Sequence, residues 1–283
     1  MAKRIDGKLI SAEIRAEIKE ETAGFVAEHG YAPGLAVIIV GENPASMVYV
    51  RNKKKGCEEV GFYSEVHELP EATEQAKLNA LVDRLNADPK IHGILVQLPL
   101  PKHLDENEVL LRIDPAKDVD AFHPYNVGKI MIGDYDFLPC TPAGVMALLE
   151  RSGIDPAGKK CVVIGRSNIV GKPMAMLLLH ANGTVTVCHS RTKDLPAVTR
   201  EADILVVAIG RADFVGADMV KPGAVVIDVG LNRRADGKLT GDVDFEAVEP
   251  IASAITPVPG GVGPMTITML LQNTLTAARK AAK

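Results

Sequence analysis

Three side chains capable of hydrogen bonding or proton transfer recur at helical spacing: Ser46, Tyr49 and Lys53. Asn43 favours a helix N-cap and Pro44 favours the first helical position, so a helix is predicted to begin there. Residues three and four apart share one face of a helix, which would align the hydroxyl, the phenol and the amine. A row of this kind is suited to holding a polar substrate and moving a proton.

The protonation state of Lys53 decides what chemistry this face performs. Neighbouring Arg51, Lys54 and Lys55 would disfavour the charged amine, and partial burial would lower its pKa further. An amine with a lowered pKa is a usable acid or base near neutral pH. The apolar run 35–40 predicts a buried strand just before this helix, and open α/β sheets bind ligands beyond the carboxyl ends of their strands. The alternative interpretation is a solvated basic helix face whose phenol packs on the core.

An amide and an acidic loop add further polar groups. Gln97 lies near the end of a strand predicted over residues 93–99, so its amide should point into the same crevice as the lysine amine. Asp118 and Asp120 follow in a loop that lacks the regular oxygen ligands of a Ca²⁺ site. Orientation of a polar ring by one carboxylate is therefore favoured. His123, in the same loop, is interpreted as a local structural residue.

The segment 165–173, with the sequence GRSNIVGKP, follows one predicted strand and opens a predicted helix. A dinucleotide pyrophosphate would lie there against helix N–H groups, next to Gly165 and Arg166. The segment departs from G-x-G-x-x-G because Ser167 replaces the second glycine and Gly171 comes one residue late. The alternative is a plain strand-to-helix turn.

The end of the next strand bears on cofactor choice. An NAD site usually offers an acid to the ribose hydroxyls at this point, whereas this chain has His189, Ser190 and Arg191. A 2′-phosphate prefers a hydroxyl and cations, and Arg166 is within reach of the same region. NADP is therefore favoured over NAD. The alternative is that Ser190 merely caps the following helix.

Three other segments are rich in residues that let backbone approach a ligand closely. Residues 208–210 and 228–232 end predicted strands, and 257–266 reads PVPGGVGPMT before a helix predicted from Pro264. The last segment is a second candidate anion or amide site. A structural turn could explain two of its three glycines, but hardly all three.

Strands alternate with helices along the chain, which predicts an α/β protein with parallel sheets. Helices are predicted over 8–28, from 43, around 78–85, from a Thr141 cap, and from 264; strands are predicted over 35–40, 64–68, 93–99, 160–165, 185–188, 204–208 and 224–228. The irregular polar segment 114–139 is predicted as a site-forming loop. Two domains are expected, 1–139 and 140–264, with a C-terminal helix 265–283 packing back on the first.

Composition narrows the class of protein. The 283 residues include 47% hydrophobic and 24% charged residues, with a net charge of -4, which argues against a nucleic-acid-binding surface. No apolar run approaches a membrane span and the N-terminus has no apolar signal region, so no membrane partner is expected. The four cysteines and seven histidines lack disulfide or zinc spacing, so no metal is expected. A cytoplasmic protein with reduced thiols is predicted.

Five motifs in order resemble one family across nearly the whole chain. They are Tyr49-x-x-x-Lys53, residues 93–101 (GILVQLPLP), 117–120 (KDVD), 165–167 (GRS) and 257–264 (PVPGGVGP). Together they resemble the bifunctional methylenetetrahydrofolate dehydrogenase/methenyltetrahydrofolate cyclohydrolase family. The resemblance implies an N-terminal α/β substrate domain, a C-terminal NADP-binding Rossmann-like domain, an active-site cleft between them, and a homodimer. It also implies NADP-dependent oxidation of methylenetetrahydrofolate, followed by hydrolysis to 10-formyltetrahydrofolate.

The same resemblance implies roles for particular residues. Lys53 would carry the catalysis with Tyr49, Gln97 and Asp120, and Asp120 would bind the pterin ring. The expected cofactor ligands are Gly165, Arg166, Ser167, Ser190, Leu231, Thr141, Gly263 and Thr266. The expected folate ligands are Ser46, Tyr49, Gln97, Leu98, Pro99, Asp120, Pro259 and Gly260.

One position departs from the family pattern, and two other classes of protein stay open. Ala121 stands where glycine is expected; if that position has a positive φ, alanine strains the turn by about 1 kcal/mol or more. A shikimate-type or amino-acid-type dehydrogenase would also pair an α/β domain with a Rossmann domain, but gives Gln97 and Asp120 no obvious role. A non-catalytic NADP-binding sensor would tolerate loss of Lys53, which is present.

Overall fold

The computed structural model describes residues 2–283, apart from the side chains of residues 44 and 45, and its contacts divide the chain into two units. The three-stranded unit comprises Glu13–Cys140 and Ile267–Lys283, and the six-stranded unit comprises residues 2–12 and Thr141–Thr266. This grouping differs from the predicted range 1–139 at the N-terminus. Residues 2–12 group with the six-stranded unit because their short strand, Lys3–Arg4, is an edge strand of its sheet.

The apolar run predicted as the first strand is the centre of the three-stranded parallel sheet. Strand β2 (Gly34–Val40) pairs with β3 (Tyr63–Leu69) on one side and with β4 (Gly93–Val96) on the other. All seven residues of β2 are buried, as expected for the middle strand of a parallel sheet covered on both faces. The strand predicted over 93–99 ends at Val96, which leaves Gln97 just beyond the sheet.

Helices flank and follow these three strands. They are α1 (Gly7–His29), which begins in the other unit, α2 (Pro44–Val60), α3 (Gln75–Ala87), α4 (Glu106–Arg112) and α5 (Pro124–Ile132). The predicted helices in this half are confirmed. Helix α5 lies in the segment predicted as irregular, and its apolar residues Val127, Met131 and Ile132 are exposed. Its buried residues are Asn126 and Ile130, so its apolar pattern does not mark the face that packs on the protein.

The six-stranded sheet is parallel throughout and doubly wound. Its strands run in the order β1 (Lys3–Arg4), β11 (Ala254–Ile255), β8 (Val225–Asp228), β7 (Ile204–Val207), β5 (Lys160–Ile164) and β6 (Thr184–Cys188). Connections run outward from β5 in both directions, so the order reverses between β5 and β7. Open α/β sheets bind ligands beyond the carboxyl ends of the strands at such a reversal.

The remaining elements complete the six-stranded unit and the C-terminus. They are α6 (Cys140–Arg151), α7 (Gly171–His180), α8 (Leu195–Thr199), a 3₁₀ turn (Ala217–Met219), the β9–β10 hairpin (Asn232–Arg233 and Leu239–Thr240), α9 (Phe245–Val248) and α10 (Val262–Ala281). Helix α6 begins at Cys140, so the prediction of Thr141 as its cap is wrong and Thr141 lies inside the first turn. Among the helices of the described residues, none combines the length and apolarity that crossing a bilayer requires.

Candidate active site

The amine of Lys53 is buried inside the three-stranded unit. Its side chain is on α2, the residue is only 7% exposed, and Nζ donates a hydrogen bond to Oε1 of Gln97 at 2.9 Å. The Gln97 amide nitrogen donates in turn to the carbonyl of Leu98 at 2.8 Å, which fixes the amide orientation. The prediction that a residue of α2 meets the end of β4 is therefore confirmed.

Burial lowers the pKa of Lys53, because the charged amine loses its hydration, while the negative charge of Asp120 opposes that shift. The prediction that neighbouring cations also lower this pKa is wrong, because Arg51 and the two lysines after Lys53 are exposed to solvent. The interpretation of the whole helix face as solvated is also wrong for Lys53 itself.

The start of α2 forms as the sequence predicts. Oδ1 of Asn43 accepts a hydrogen bond from the Ser46 N–H at 3.2 Å, which is N-cap geometry. Ser46 is buried, whereas Tyr49 is partly exposed, and burial raises the pKa of its phenol. Leu98 and Pro99 follow Gln97 and are joined by a cis peptide bond.

The acidic loop is organised by Asp118, a residue to which the sequence assigned no separate role. Its buried carboxylate accepts hydrogen bonds from the N–H groups of Phe122 at 3.2 Å and His123 at 2.8 Å, and from Nδ2 of Asn126 at 2.9 Å. His123 caps α5 through Nδ1, which accepts from the Tyr125 N–H at 3.1 Å, in keeping with its interpretation as structural.

Ala121 adopts φ 56° in this loop, so the departure from glycine does place an L-residue in the left-handed region. Its N–H donates to the carbonyl of Asp118 at 3.0 Å, and its side chain is fully buried. The loop therefore closes around alanine, with a local conformational cost of about 1–2 kcal/mol.

Two residues that sequence reasoning missed hold Asp120 in place. The Cys140 thiol donates to Oδ1 of Asp120 at 3.5 Å and to the carbonyl of Val119 at 3.6 Å. Nδ2 of Asn273, on α10, donates to the carbonyls of Val119 and Leu138, each at 2.8 Å. Burial raises the pKa of Asp120, and the nearby Lys53 charge counteracts that effect.

In the six-stranded unit, the turn after β5 needs both of its glycines. Gly165 has φ 127°, and a side chain there would overlap the carbonyl of Ala208, while a side chain at Gly171 would overlap Gly165 itself. The Ser167 hydroxyl accepts from the N–H groups of Val170 at 3.2 Å and Gly171 at 3.3 Å, at the start of α7. The backbone thus lies close to the strand ends, as an approaching phosphate requires.

The residues expected near a 2′-phosphate are exposed at the end of β6. Arg166, Ser190 and Arg191 all reach solvent, and no acid lies between residues 189 and 192. The alternative role for Ser190 as a helix cap is wrong, because the side chain of Asp194 caps α8 instead.

The glycines of the segment 257–266 divide into two kinds. Gly260 has φ 109°, and a side chain at Gly261 would press on Pro257, so the turn itself requires both. Gly263 has an ordinary φ and open space around it, so the turn alone does not explain this glycine. Thr141 and Thr266, both predicted cofactor ligands, lie with their hydroxyls 3.0 Å apart.

The predicted site residues therefore form two groups, one in each unit. The three-stranded unit holds Ser46, Tyr49, Lys53, Gln97, Leu98, Pro99 and Asp120, whereas the six-stranded unit holds Thr141, Gly165, Arg166, Ser167, Ser190, Leu231, Pro259, Gly260, Gly263 and Thr266. Among the side chains that the structure describes, no three His, Cys, Asp or Glu residues cluster as metal ligands would.

A doubly wound sheet with a glycine-closed turn at its reversal, in a chain that also buries a lysine amine, defines a nucleotide-dependent enzyme of the α/β class. Two family models match the chain: the tetrahydrofolate dehydrogenase/cyclohydrolase catalytic domain over residues 5–120 and the NAD(P)-binding domain of the same proteins over residues 139–282. The chain belongs to the tetrahydrofolate dehydrogenase/cyclohydrolase family.

Individual proteins agree with this assignment over their whole lengths. The chain is 63% identical to the bifunctional protein FolD of Moorella thermoacetica, with 99% of each sequence covered. The crystal structure of the bifunctional methylenetetrahydrofolate dehydrogenase/cyclohydrolase of Campylobacter jejuni superposes with a TM-score of 0.96 at 53% identity, covering 99% of each chain. The Trypanosoma brucei enzyme, solved with NADP and an inhibitor, gives 0.96 at 42% identity, covering 100% of this chain and 99% of that one.

The shikimate-type alternative shares architecture only. The shikimate dehydrogenase of Thermus thermophilus superposes with a TM-score of 0.53 at 16% identity, covering 87% of this chain and 99% of that one. Likeness at that level shows a common fold and carries no statement about substrate.

Proposed function

We propose that this enzyme oxidises 5,10-methylenetetrahydrofolate to 5,10-methenyltetrahydrofolate with NADP⁺, and then hydrolyses that product to 10-formyltetrahydrofolate. The observation that carries the proposal is the buried Lys53 amine. Its Nζ lies 2.9 Å from Oε1 of Gln97, and the charge of Asp120 is near enough to act on its pKa. The full-length similarity to bifunctional relatives supplies the substrate class.

The carboxyl edge of the six-stranded sheet fits NADP. The absence of a side chain at Gly165 lets a phosphate approach the backbone closely beside the start of α7. The exposed Arg166, Ser190 and Arg191 offer cations and a hydroxyl to a 2′-phosphate, with no acid among residues 189–192 to repel it. Ser167, Thr141, Leu231, Gly263 and Thr266 complete the proposed cofactor ligands. When bound, NADP⁺ supplies the hydride acceptor for the oxidation.

Oxidation asks the side chains mainly to hold and orient the folate. The two folate nitrogens stabilise the cation left by hydride loss, so no side chain has to supply that stabilisation, and positioning dominates. The proposed folate ligands are Ser46, Tyr49, Gln97, Leu98, Pro99, Asp120, Pro259 and Gly260. Asp120, anchored by Cys140, would accept hydrogen bonds from the pterin.

Hydrolysis needs a group that moves protons, and Lys53 is proposed for that role. Water adds to the methenyl carbon as the neutral amine takes one proton from the water, which leaves a hydroxyl on that carbon. The bond from the carbon to N5 then breaks as the ammonium returns its proton to N5. The hydroxyl gives its remaining proton to solvent and becomes the carbonyl of the formyl group on N10. A pKa lowered by burial keeps a usable fraction of the amine neutral. Gln97, which accepts a hydrogen bond from Nζ, holds the amine in place, and Tyr49 lies one turn earlier on α2.

The proposal is tested by giving the purified enzyme each folate separately. NADPH should form only with methylenetetrahydrofolate, and methenyltetrahydrofolate should be consumed without any nucleotide. The kcat/KM for NAD⁺ should be clearly lower than the kcat/KM for NADP⁺. Absence of NADPH formation, or oxidation of shikimate or an amino acid instead, would contradict the proposed function.

We also propose that the enzyme works as a homodimer in the cytoplasm. The family resemblance supports the first statement, and light scattering during gel filtration would measure it. The second is supported by Cys57, Cys140, Cys161 and Cys188, which are all free thiols buried in the protein, as a reducing compartment allows. A monomeric mass across the working concentration range would overturn the dimer.

A further inference from the structure

Two buried carboxylates lie at the carboxyl edge of the six-stranded sheet: Asp228 is the last residue of β8, and Asp242 follows β10. Asp228 is 3% exposed and Asp242 is fully buried, and N–H donors surround both of them. Burial of a charge is costly unless hydrogen bonds compensate it, so the arrangement needs a reason. Neither residue belongs to the site proposed above.

Asp242 gathers the ends of two loops. Its Oδ2 accepts from the N–H groups of Ile209 at 2.7 Å and Gly210 at 3.0 Å. Its Oδ1 accepts from the N–H of Arg211 at 2.8 Å and from Nδ2 of Asn232 at 2.9 Å. One carboxylate therefore fixes three successive peptides after β7 and a side chain from the loop after β8.

Asp228 holds Asp242 in turn. Its Oδ1 accepts from the N–H groups of Gly230 and Asp242, each at 2.9 Å, and its Oδ2 accepts from the N–H of Val243 at 2.9 Å. The packing leaves no slack, because a side chain on Gly230 would overlap the Asp242 carboxylate and one on Gly241 would overlap the Asp228 carboxylate.

The three successive N–H groups of residues 209–211 form a concavity that would otherwise attract an anion. In this protein the Asp242 carboxylate fills it, so a cofactor phosphate cannot bind there. The turn at Gly165–Ser167 then remains as the phosphate site at this edge of the sheet. The loops after β7 and β8 line the side of the dinucleotide site and do not bind phosphate.

We infer that Asp228 and Asp242 are positioning residues for NADP: they touch no ligand, but fix the loops 208–211 and 229–232 against which the dinucleotide binds. The inference rests on the proposed NADP site. It assigns a function to buried groups that hydride transfer and hydrolysis do not use directly.

The test is Asp242→Asn, which keeps the size of the side chain but turns an NH₂ toward N–H groups that need an acceptor. KM for NADP⁺ should rise about 10- to 100-fold, as expected when buried donors lose their partner. Consumption of methenyltetrahydrofolate without nucleotide should stay within about twofold, since it does not use these loops. The matched control is Asp244→Asn, whose carboxylate caps only the four-residue α9, and it should leave KM for NADP⁺ unchanged.

An unchanged KM for NADP⁺ in Asp242→Asn would overturn the inference, as would a parallel loss of both activities without a selective change in that KM. If Asp242→Asn does not fold, Asn232→Ala is the deciding variant, because it removes the Asn232 amide donor and leaves the Asp242 carboxylate in place. A rise of about threefold or more in KM for NADP⁺ supports the inference and no rise overturns it. Wild-type enzyme that fails to oxidise methylenetetrahydrofolate with NADP⁺ would instead refute the proposed function.

Discussion

Replacing Lys53 with methionine should separate the two reactions of this enzyme. Methionine has a similar length and fills the buried space on α2, but it cannot donate to Gln97 or carry a proton. Cyclohydrolase activity should fall by about 10²–10⁴, the usual contribution of a general acid or base, which corresponds to about 3–5 kcal/mol of barrier.

Dehydrogenase activity should survive better, because hydride transfer depends on alignment and Asp120 remains anchored by the Cys140 thiol. With methylenetetrahydrofolate and NADP⁺ as the starting reactants, the methenyl product should accumulate in place of the formyl product. Lys53→Arg should not restore hydrolysis, because a guanidinium does not give up its proton near neutral pH.

The assay follows the methenyl chromophore and NADPH in the same cuvette, so each step has its own signal. Lys54→Met is the matched control, since it removes an exposed amine from the next position of the helix and should leave both rates unchanged. If Lys53→Met abolished oxidation while hydrolysis stayed near the wild-type rate, Lys53 would not be the hydrolytic acid/base.

Three further changes probe other parts of the molecule. Asp120→Asn should raise KM for both folate substrates about 10- to 100-fold by losing charge-assisted hydrogen bonds, and titration calorimetry should show unaltered NADP⁺ binding. Ser190→Asp should lower kcat/KM for NADP⁺ by about 100-fold or more and that for NAD⁺ much less, because the new carboxylate would face the negatively charged 2′-phosphate. The control is Thr186→Asp, which changes an exposed residue earlier on β6. Equal losses with both cofactors would refute the phosphate assignment. Burial and the neighbouring charge of Asp242 raise the pKa of Asp228 to about 7, above its ordinary 3.8, so the folded state binds this proton more tightly than the unfolded state. The protonated Asp228 therefore stabilises the fold fully below the pKa of the unfolded state, and this stabilisation is lost as pH rises through 7. Urea titrations between about pH 5 and 8 should show that the free energy of unfolding of the wild type falls by about 2–3 kcal/mol relative to that of Asp228→Asn. The same dependence of the unfolding free energy on pH in both proteins would contradict this prediction.

Local sequence features predicted the parts of the site that depend on short-range rules. Asn43 caps α2 as its residue type suggests, and the end of β4 brings Gln97 to Lys53 because parallel strands present their carboxyl ends to the ligand. The positive φ of Ala121 was also predictable, from a departure at a position where glycine was expected.

Residues that act across long sequence distances could not be predicted in the same way. Asn273 holds the loop of Asp120 from 154 positions away along the chain, and only the folded packing of α10 brings the two segments together. Asp242 likewise contacts Ile209 through a turn whose sequence has no distinctive motif. The direction of the Lys53 pKa shift was predicted, but partly for the wrong reason, since burial of the amine lowers the pKa and its cationic neighbours are exposed to solvent.

The most direct test of the central claim is a single-turnover experiment with the wild-type enzyme, methylenetetrahydrofolate and NADP⁺ in a rapid-mixing spectrophotometer. The claim is that one enzyme oxidises the folate and then hydrolyses it with the buried Lys53 amine. The methenyl absorbance should rise with NADPH and then decay in the wild-type enzyme, but rise and persist in Lys53→Met. Decay at the wild-type rate in Lys53→Met would contradict the account.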